Sequence, residues 1–343
     1  MVKAAVAAAV VAKAEARNNK LKTTMNNKAF QKSKNNRGMA LIAVLWLIAV
    51  ISFAALTAVQ LLSFELNIAD SQINGFRAGQ AAEMGIAVGS NPAVKRDDPM
   101  LQASGDDGAS YRVELRSEGD RFNINHLLLT TNDKKLVKEI FIYWGIDEDI
   151  AQEIADAMYD WVDSNDEIQL NGAEKEYYEE LGRINQPFNR PFYSLEEMRL
   201  VKGMELVERV KPDWREWFTV WSAGGLDVNE ADAEKIAIAA ECNRDDADAL
   251  VEIVRGADGS RGTEDDAPFQ NLAGGQGGNG VMDILRVPEF YAAVVTPRLA
   301  VNDQTTRIES TGTAGDTKRK IILVVRNRTG KPAILEKTEE VVP

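Results

Sequence analysis

Hydrophobic and polar positions alternate in three distinct ways along this chain. From Met39 to Leu62 the sequence MALIAVLWLIAVISFAALTAVQLL runs for 24 residues without a charge, with Ser52, Thr57 and Gln60 as its polar interruptions. As a helix rising ~1.5 Å per residue it reaches roughly 36 Å, enough to cross a hydrocarbon core of ~30 Å. Helical spacing continues through Phe64-Glu65-Leu66 and from Arg77 to Ala87, where small residues suit a helix packed on a sheet, and stop signals lie between Gly89 and Pro92. Period-two alternation marks strands at Ser110–Arg116, Thr306–Thr311, Lys320–Asn327 and Ala333–Lys337. The intervening stretch, roughly 126–298, has helical periodicity. The predicted class is α+β: a long, partly transmembrane N-terminal helix packed on a small antiparallel sheet, with a large, mostly α-helical insertion of two related lobes.

Charge changes the picture next. The 343 residues carry 40 Lys and Arg against 53 Asp and Glu, a net of −13. Residues 1–38 hold nine basic residues against Glu15, a net of +8, so the rest of the chain carries −13 − 8 = −21. A basic flank before an apolar helix orients the N-terminus to the cytoplasm and the acidic body to the far side of the membrane. An acidic body without a basic run is repelled by phosphates, and no nucleic-acid partner is expected. One Cys and one His remove disulfide frameworks, Cys-based zinc sites and multi-histidine metal centres.

The apolar run exceeds the h-region of a secretory signal, and no small-x-small cleavage site follows it closely. At its front edge stands Arg37-Gly38-Met39. A Gly between a basic leader and a long apolar helix resembles the type IV prepilin cleavage site, which implies cutting between Gly38 and Met39 by prepilin peptidase and methylation of the new N-terminus. Translation from Met25 would give a shorter leader, MNNKAFQKSKNNRG. Pilins and pseudopilins carry Glu at the fifth mature position, whereas this chain has Ala43. With the length of the chain, that absence makes it resemble the protein K family of type II secretion minor pseudopilins. The resemblance implies a basic leader over 1–38, a transmembrane and filament-packing helix over 39–62, and stem continuation with the first strands of the sheet over 63–125. It implies a helical insertion over 126–298 and closing strands and tail over 299–343. It further implies a non-catalytic subunit at the tip of a periplasmic pseudopilus, anchored by a single pass in the inner membrane and partnered by minor pseudopilins I and J.

Within the insertion the order of features repeats. The first copy opens at Phe122-Asn123-Ile124-Asn125, reaches an acidic loop at Asp163, and continues to Pro187-Phe188 and Ser194–Met198. The second opens at Leu226-Asp227-Val228-Asn229, reaches an acidic loop at Asp258, and continues to Pro268-Phe269 and Val281–Leu285. Phe192–Met204 resembles half of a helix-hairpin-helix, a DNA-gripping motif, but local positive charge is lacking and packing accounts for the pattern.

The acidic loops carry the candidate chemistry. Asp160, Asp163, Asn165, Asp166 and Glu174 offer hard oxygens of the kind Ca²⁺ takes in six- to eight-coordinate sites. Counting from Asp163 puts Ile168 where an EF-hand needs Gly, so the resemblance is to the acidic loop of protein K instead. The second loop sets Asp258, Glu264, Asp265 and Asp266 among Gly259 and Gly262. Clustered carboxylates repel unless solvated or bridged by a cation, and structural calcium is the cofactor expected. Solvated loops are the alternative. His126, Cys242 and the Trp214, Trp217, Phe218, Trp221 group have packing or capping roles. Two rival functions are a membrane-anchored periplasmic enzyme using carboxylates and a competence-type pseudopilin binding DNA.

Overall fold

The computed structural model describes residues 2–106, 108–273 and 280–342, without the side chains of 2–9, 21 and 23–37. The side chains of Met25 and Arg37 therefore lie outside the described residues. The chain divides into two units, Met1–Gln72 and Ile73–Pro343. The described residues of the first lie in helix α1, Val2–Ser90, and every apolar side chain from Met39 to Leu62 is exposed.

In the second unit the remainder of α1 lies on a sheet. The strands are β1 (Gln102–Ser104), β2 (Ser110–Ser117), β3 (Phe122–Asn123), β4 (Phe218–Thr219), β5 (Leu226–Asp227), β6 (Leu299–Ala300), β7 (Thr305–Ala314), β8 (Thr317–Arg326) and β9 (Ala333–Val342). Among the described residues β1-β2-β7-β8-β9 form one antiparallel sheet, with Ser117 opposite Thr306 and Ile308 opposite Leu323. Alternate residues of the sheet, Val113, Leu115, Ile308, Ile321 and Leu323, meet Ala82 and Ile86 of α1 in a small core. The approach is close because α1 is small-sided here. A Cβ on Gly312 would strike the Ala78 carbonyl oxygen, and one on Gly85 would collide with Ser310.

Between β2 and β7 comes the helical body, bracketed by short parallel pairs. Its helices are α2 (Lys134–Tyr143), α3 (Glu148–Val162), α4 (Lys175–Glu180), α5 (Leu195–Met198), α6 (Met204–Val210), α7 (Ala233–Ala240), α8 (Arg244–Arg255), α9 (Val281–Ile284) and α10 (Glu289–Val295). Strand β3 pairs in parallel with β4, and β5 with β6. Each lobe thus starts and finishes at one place, and both run through the order strand, two helices, acidic loop, short helices (three in the first lobe, two in the second), 3-10 turn, strand, the first lobe adding a π-helical turn, His126–Thr130, after its opening strand. The repeat reaches single hydrogen bonds. The Asn125 amide donates to Phe192 O (2.9 Å) and its Oδ1 accepts from Phe192 N (2.8 Å). Asn229 does the same with Phe269, at 2.9 and 2.8 Å. This corrects one correspondence drawn from sequence: the partner of Pro268-Phe269 is Pro191-Phe192, not Pro187-Phe188.

Helix starts follow their caps. Asp133 accepts from Leu136 N (3.0 Å) at α2, and Asp147 from Asp149 N (3.0 Å) at α3. Apolar faces of both lobes merge in one core that includes Phe122, Phe141, Trp161, Trp214, Phe218 and Leu250. Trp214, Trp217 and Phe218 are buried in it, and Trp221 donates its indole N–H to Glu336 (2.8 Å). His126 opens the turn after β3, with Nε2 2.9 Å from Pro297 O. Cys242 is half-buried, and burial pushes its thiol up to about 11.

Body and sheet are joined by charge. Glu118 is fully buried, 2.5 Å from Arg307 Nε of β7, and accepts the hydroxyl of Thr219 of β4. Arg121 reaches Glu216 at 2.8 Å.

Candidate functional site

The acidic site grows from the inner face of α3. Asp156 and Asp160 stand four residues apart, so both project to one side of the helix. Asp156 pairs with Lys134 at 2.9 Å, and Lys134 also holds Gln169 Oε1 at 2.7 Å. Asp160, fully buried, accepts from Gln169 N (3.1 Å) and Ala173 N (2.9 Å), so its carboxylate clasps the loop that follows the helix. The fit leaves no room at residue 172, where a Cβ would overlap Asp160 Oδ2. Only glycine closes this turn.

Two further carboxylates enter the site with unpaired oxygens, although Asp163 Oδ1 accepts from Asn165 N (3.3 Å). Both oxygens of Glu174 and Oδ2 of Asp163 are buried with no hydrogen-bond donor, although each residue is only 6% exposed. Burial, then the charges of Asp160, Asp163 and Asp166, push Glu174 up to about 7. Burial pushes Asp160 up to about 6 against the pull of its two amide donors, and burial also raises Asp163. Orphaned buried carboxylates cost free energy unless protonated or matched by a cation. Among the described residues no three His, Cys, Asp or Glu stand together as a ready-made metal cage.

Asn165 and Asp166 sit at the exposed rim. Asn165 Oδ1 accepts from Glu167 N (2.7 Å), while Asn189 donates to Asn165 O (3.1 Å) and Asp166 Oδ1 (2.9 Å). Asn189 Oδ1 and Gln186 Oε1 are further buried oxygens without donors. Sequence reasoning missed these two uncharged residues, which follow no ligand spacing; the Asn side chain that crosses back to the loop is visible in three dimensions alone.

The second loop is organised differently. Asp265 Oδ2 accepts from Ala257 N (2.6 Å) and Asp258 N (3.0 Å), and Asp266 Oδ2 accepts from Gly262 N (2.7 Å). Asp258 accepts from Ser260 N (2.7 Å), and Glu264 is exposed. The amide of Asp258 and the Thr263 hydroxyl hold Asp265 below the usual carboxylate range. These acids fold their own loop with amide donors. Asp266 also lines a cleft of about 660 Å³ beside Asp227, Glu230, Arg261 and Arg328.

Residues 192–204 do form a hairpin: α5, a turn with Gly203 at φ 85°, and α6. Its Arg199 is taken by Glu208 (2.6 Å) and Glu196 (3.2 Å). Gly38 and Met39 lie within α1, exposed, and a Cβ on Gly38 would meet nothing within 4 Å.

The architecture is a long helix packed on an antiparallel sheet, with a duplicated helical body inserted between two neighbouring strands. Residues 120–212 match the family model of the type II secretion system (T2SS), protein K. The type II secretion system protein K of Pseudomonas aeruginosa is 28% identical over 190 residues, 53% of this chain and 55% of that protein. A relative from Escherichia coli strain K12 is 26% identical over 195 residues, 50% of this chain and 59% of the relative. The chain thus spans little more than half the length of the curated relatives it matches. A chain in the crystal structure of the GspK–GspI–GspJ complex from the enterotoxigenic Escherichia coli type 2 secretion system has the same fold, with a TM-score of 0.54 at 13% identity, covering 82% of this chain and 99% of that one. The chain is thus similar in sequence to type II secretion protein K over part of its length, residues 120–212 matching that family's model, and similar in fold to the chain of the GspK–GspI–GspJ complex.

Proposed function

We propose that the protein is a minor pseudopilin of type II secretion, a non-catalytic structural subunit at the tip of the periplasmic pseudopilus that supports protein export across the outer membrane. The observation that carries this reading is the exposed apolar helix Met39–Leu62 directly after Gly38, a glycine that no packing contact demands. Prepilin peptidase would cut between Gly38 and Met39, the new N-terminus would be methylated, and the helix would remain as a single inner-membrane pass with the acidic body in the periplasm. Minor pseudopilins I and J are the proposed partners. Ala43 in place of the usual Glu suits a last subunit, which has no neighbour above it to neutralise.

In this reading calcium is a structural cofactor. Asp163 and Glu174, with Asp160 and Asp166 around them, would hold it, and their orphaned buried oxygens fit a hard divalent cation. Asp258, Glu264, Asp265 and Asp266 form the second proposed site, with less of their oxygen surface uncommitted. The ion would supply charge neutralisation to loops with few apolar residues of their own.

The test is to extract the protein from membranes of cells with and without prepilin peptidase, map its N-terminus, and co-purify it with tagged I and J. Methylated Met39 at the terminus, only when the peptidase is present, and a complex with I and J are expected. Recovery with residues before Met39 attached in both strains, or failure to associate with I and J after correct processing, overturns the proposal.

A further inference from the structure

Residues 163–180 contain a hydrophobic side chain that the fold holds out into solvent. Leu170 is 95% exposed, and its neighbour Ile168 is 63% exposed. An exposed leucine on a mobile loop would mean little. This one sits on a fixed turn. Gly172 N donates to Gln169 O (3.0 Å), and the buried Asp160 carboxylate grips Gln169 N and Ala173 N on either side of the tip. Lys202 binds the carbonyls of Asn171 and Gly172 from the facing hairpin, at 3.2 and 3.4 Å, and Lys134 holds the Gln169 side chain. Three buried or half-buried side chains therefore serve one five-residue turn whose apolar tip touches nothing. Fixing a side chain before binding reduces the ordering entropy lost on association, which is how anchor residues of interfaces reach high contribution per residue.

The surroundings select the occupant. Seven acidic residues and one basic residue, Lys175, lie between 163 and 180, Glu167, Glu176 and Glu180 are exposed beside the turn in sequence, and the two lysines that reach the turn, Lys134 and Lys202, are paired with Asp156 (2.9 Å) and Glu153 (3.7 Å). An anionic collar repels the acidic headgroups of a bilayer, and it complements a protein surface of opposite sign. We propose that Leu170, with Ile168 beside it, is an anchor that inserts into an apolar pocket rimmed by Lys and Arg on another protein. The inference goes beyond the assembly with I and J, and it rests on the turn held by Asp160, Lys134 and Lys202 together with the acidic residues around it.

The experiment places the photo-crosslinking residue p-benzoylphenylalanine at position 170 of the full chain in its own cells, with position 253 as control. Ile253 is also exposed (39%), on α8 of the second lobe. The expected result is one light-dependent protein adduct from position 170 and not from 253, whose cross-linked peptide maps to an apolar pocket with Lys or Arg at its rim. Reversing the collar with Glu167→Lys and Glu176→Lys should lower adduct yield at least fivefold. Leu170→Ser should leave the thermal midpoint unchanged, since the side chain buries nothing, and should abolish competition for the adduct by added unlabelled protein. Absence of a protein adduct, adducts with lipid, the same adducts from both positions, or an adduct indifferent to collar reversal would overturn the proposal, as would a Leu170→Ser midpoint lowered by unfolding.

Discussion

Asn125 and Phe192, 67 positions apart, are joined by two hydrogen bonds that use both polar ends of one side-chain amide and both backbone groups of the other residue. Asn229 and Phe269 repeat the pair in the second lobe, with the asparagine more deeply buried. No smaller residue can make both bonds. Replacing either asparagine by alanine leaves a backbone N–H and C=O without partners, at a cost of about 1–3 kcal/mol. Denaturant titration of Asn125→Ala and Asn229→Ala should show both losses, the larger at Asn229; equal stability to the parent protein would refute the clasp.

Stability without added cation should fall as pH rises. Glu174, near 7, and Asp160, near 6, bind protons in the folded protein that they have already released when unfolded, because their unfolded values are those of ordinary carboxyls. Between about pH 4.5 and 7 the native state therefore holds more protons, and unfolding free energy declines with pH. Asp227, pushed up to about 6 by burial, adds to the slope independently of the acidic loop. Thermal midpoints measured in chelator should be lower at pH 8 than at pH 5, and Glu174→Gln should flatten the curve.

Calcium should reverse that trend. A cation bound to the native state alone at a hundredfold excess over its Kd adds about 2.7 kcal/mol, which for a domain of this size corresponds to roughly 5–10 °C in the midpoint. The gain should be larger at pH 8 than at pH 5, where protons compete, and should disappear in Glu174→Gln. A midpoint and protease sensitivity indifferent to calcium and chelator would exclude the site.

The buried pair Glu118–Arg307 fastens the helical body to β7. Glu118→Ala takes the nearer carboxylate from a buried guanidinium, leaving it Glu309 at 3.9 Å, and removes the acceptor of the Thr219 hydroxyl, a change that costs up to about 3–5 kcal/mol. Calorimetry should show the lower midpoint, and hydrogen exchange should locate increased opening at β3, β4 and β7 first.

Gly312→Ala tests the contact between helix and sheet. The added methyl meets backbone on α1, which cannot turn aside as a side chain would. A loss of about 1–3 kcal/mol is expected from overpacking, read as a shift in the denaturation midpoint.

The class of fold was legible in sequence because its larger parts are periodic. Strand β2 was expected at Ser110–Arg116 and spans Ser110–Ser117, since Val113 and Leu115 must face α1 while their neighbours face away. Strands β3 to β6, two residues each, are too short to show any period. Their pairing joins chain segments far apart, and they give each lobe its closure. The duplication was visible as an order of features, but Pro187-Phe188 was a decoy, because a hydrogen bond from Asn125 rather than local composition decides which phenylalanine is equivalent. At the acidic loop, Asp163 and Glu174 could be named from their charge. That Asp160 would be spent on amides, and that Asn189 would cross back to the rim, depended on how the turn at Gly172 closes.

Ser117 and Thr306 face each other across β2 and β7, with the whole helical body strung between them. A sheet so interrupted cannot zip up by local search; the entropy of bringing its two halves together rises with the length of free chain between them. Lobes tied shut at their own ends shorten that tether before the strands meet. Self-closing modules thus act as spacers that make a distant hairpin kinetically near, and a lesion that opens one lobe should slow completion of the sheet even where it touches no strand.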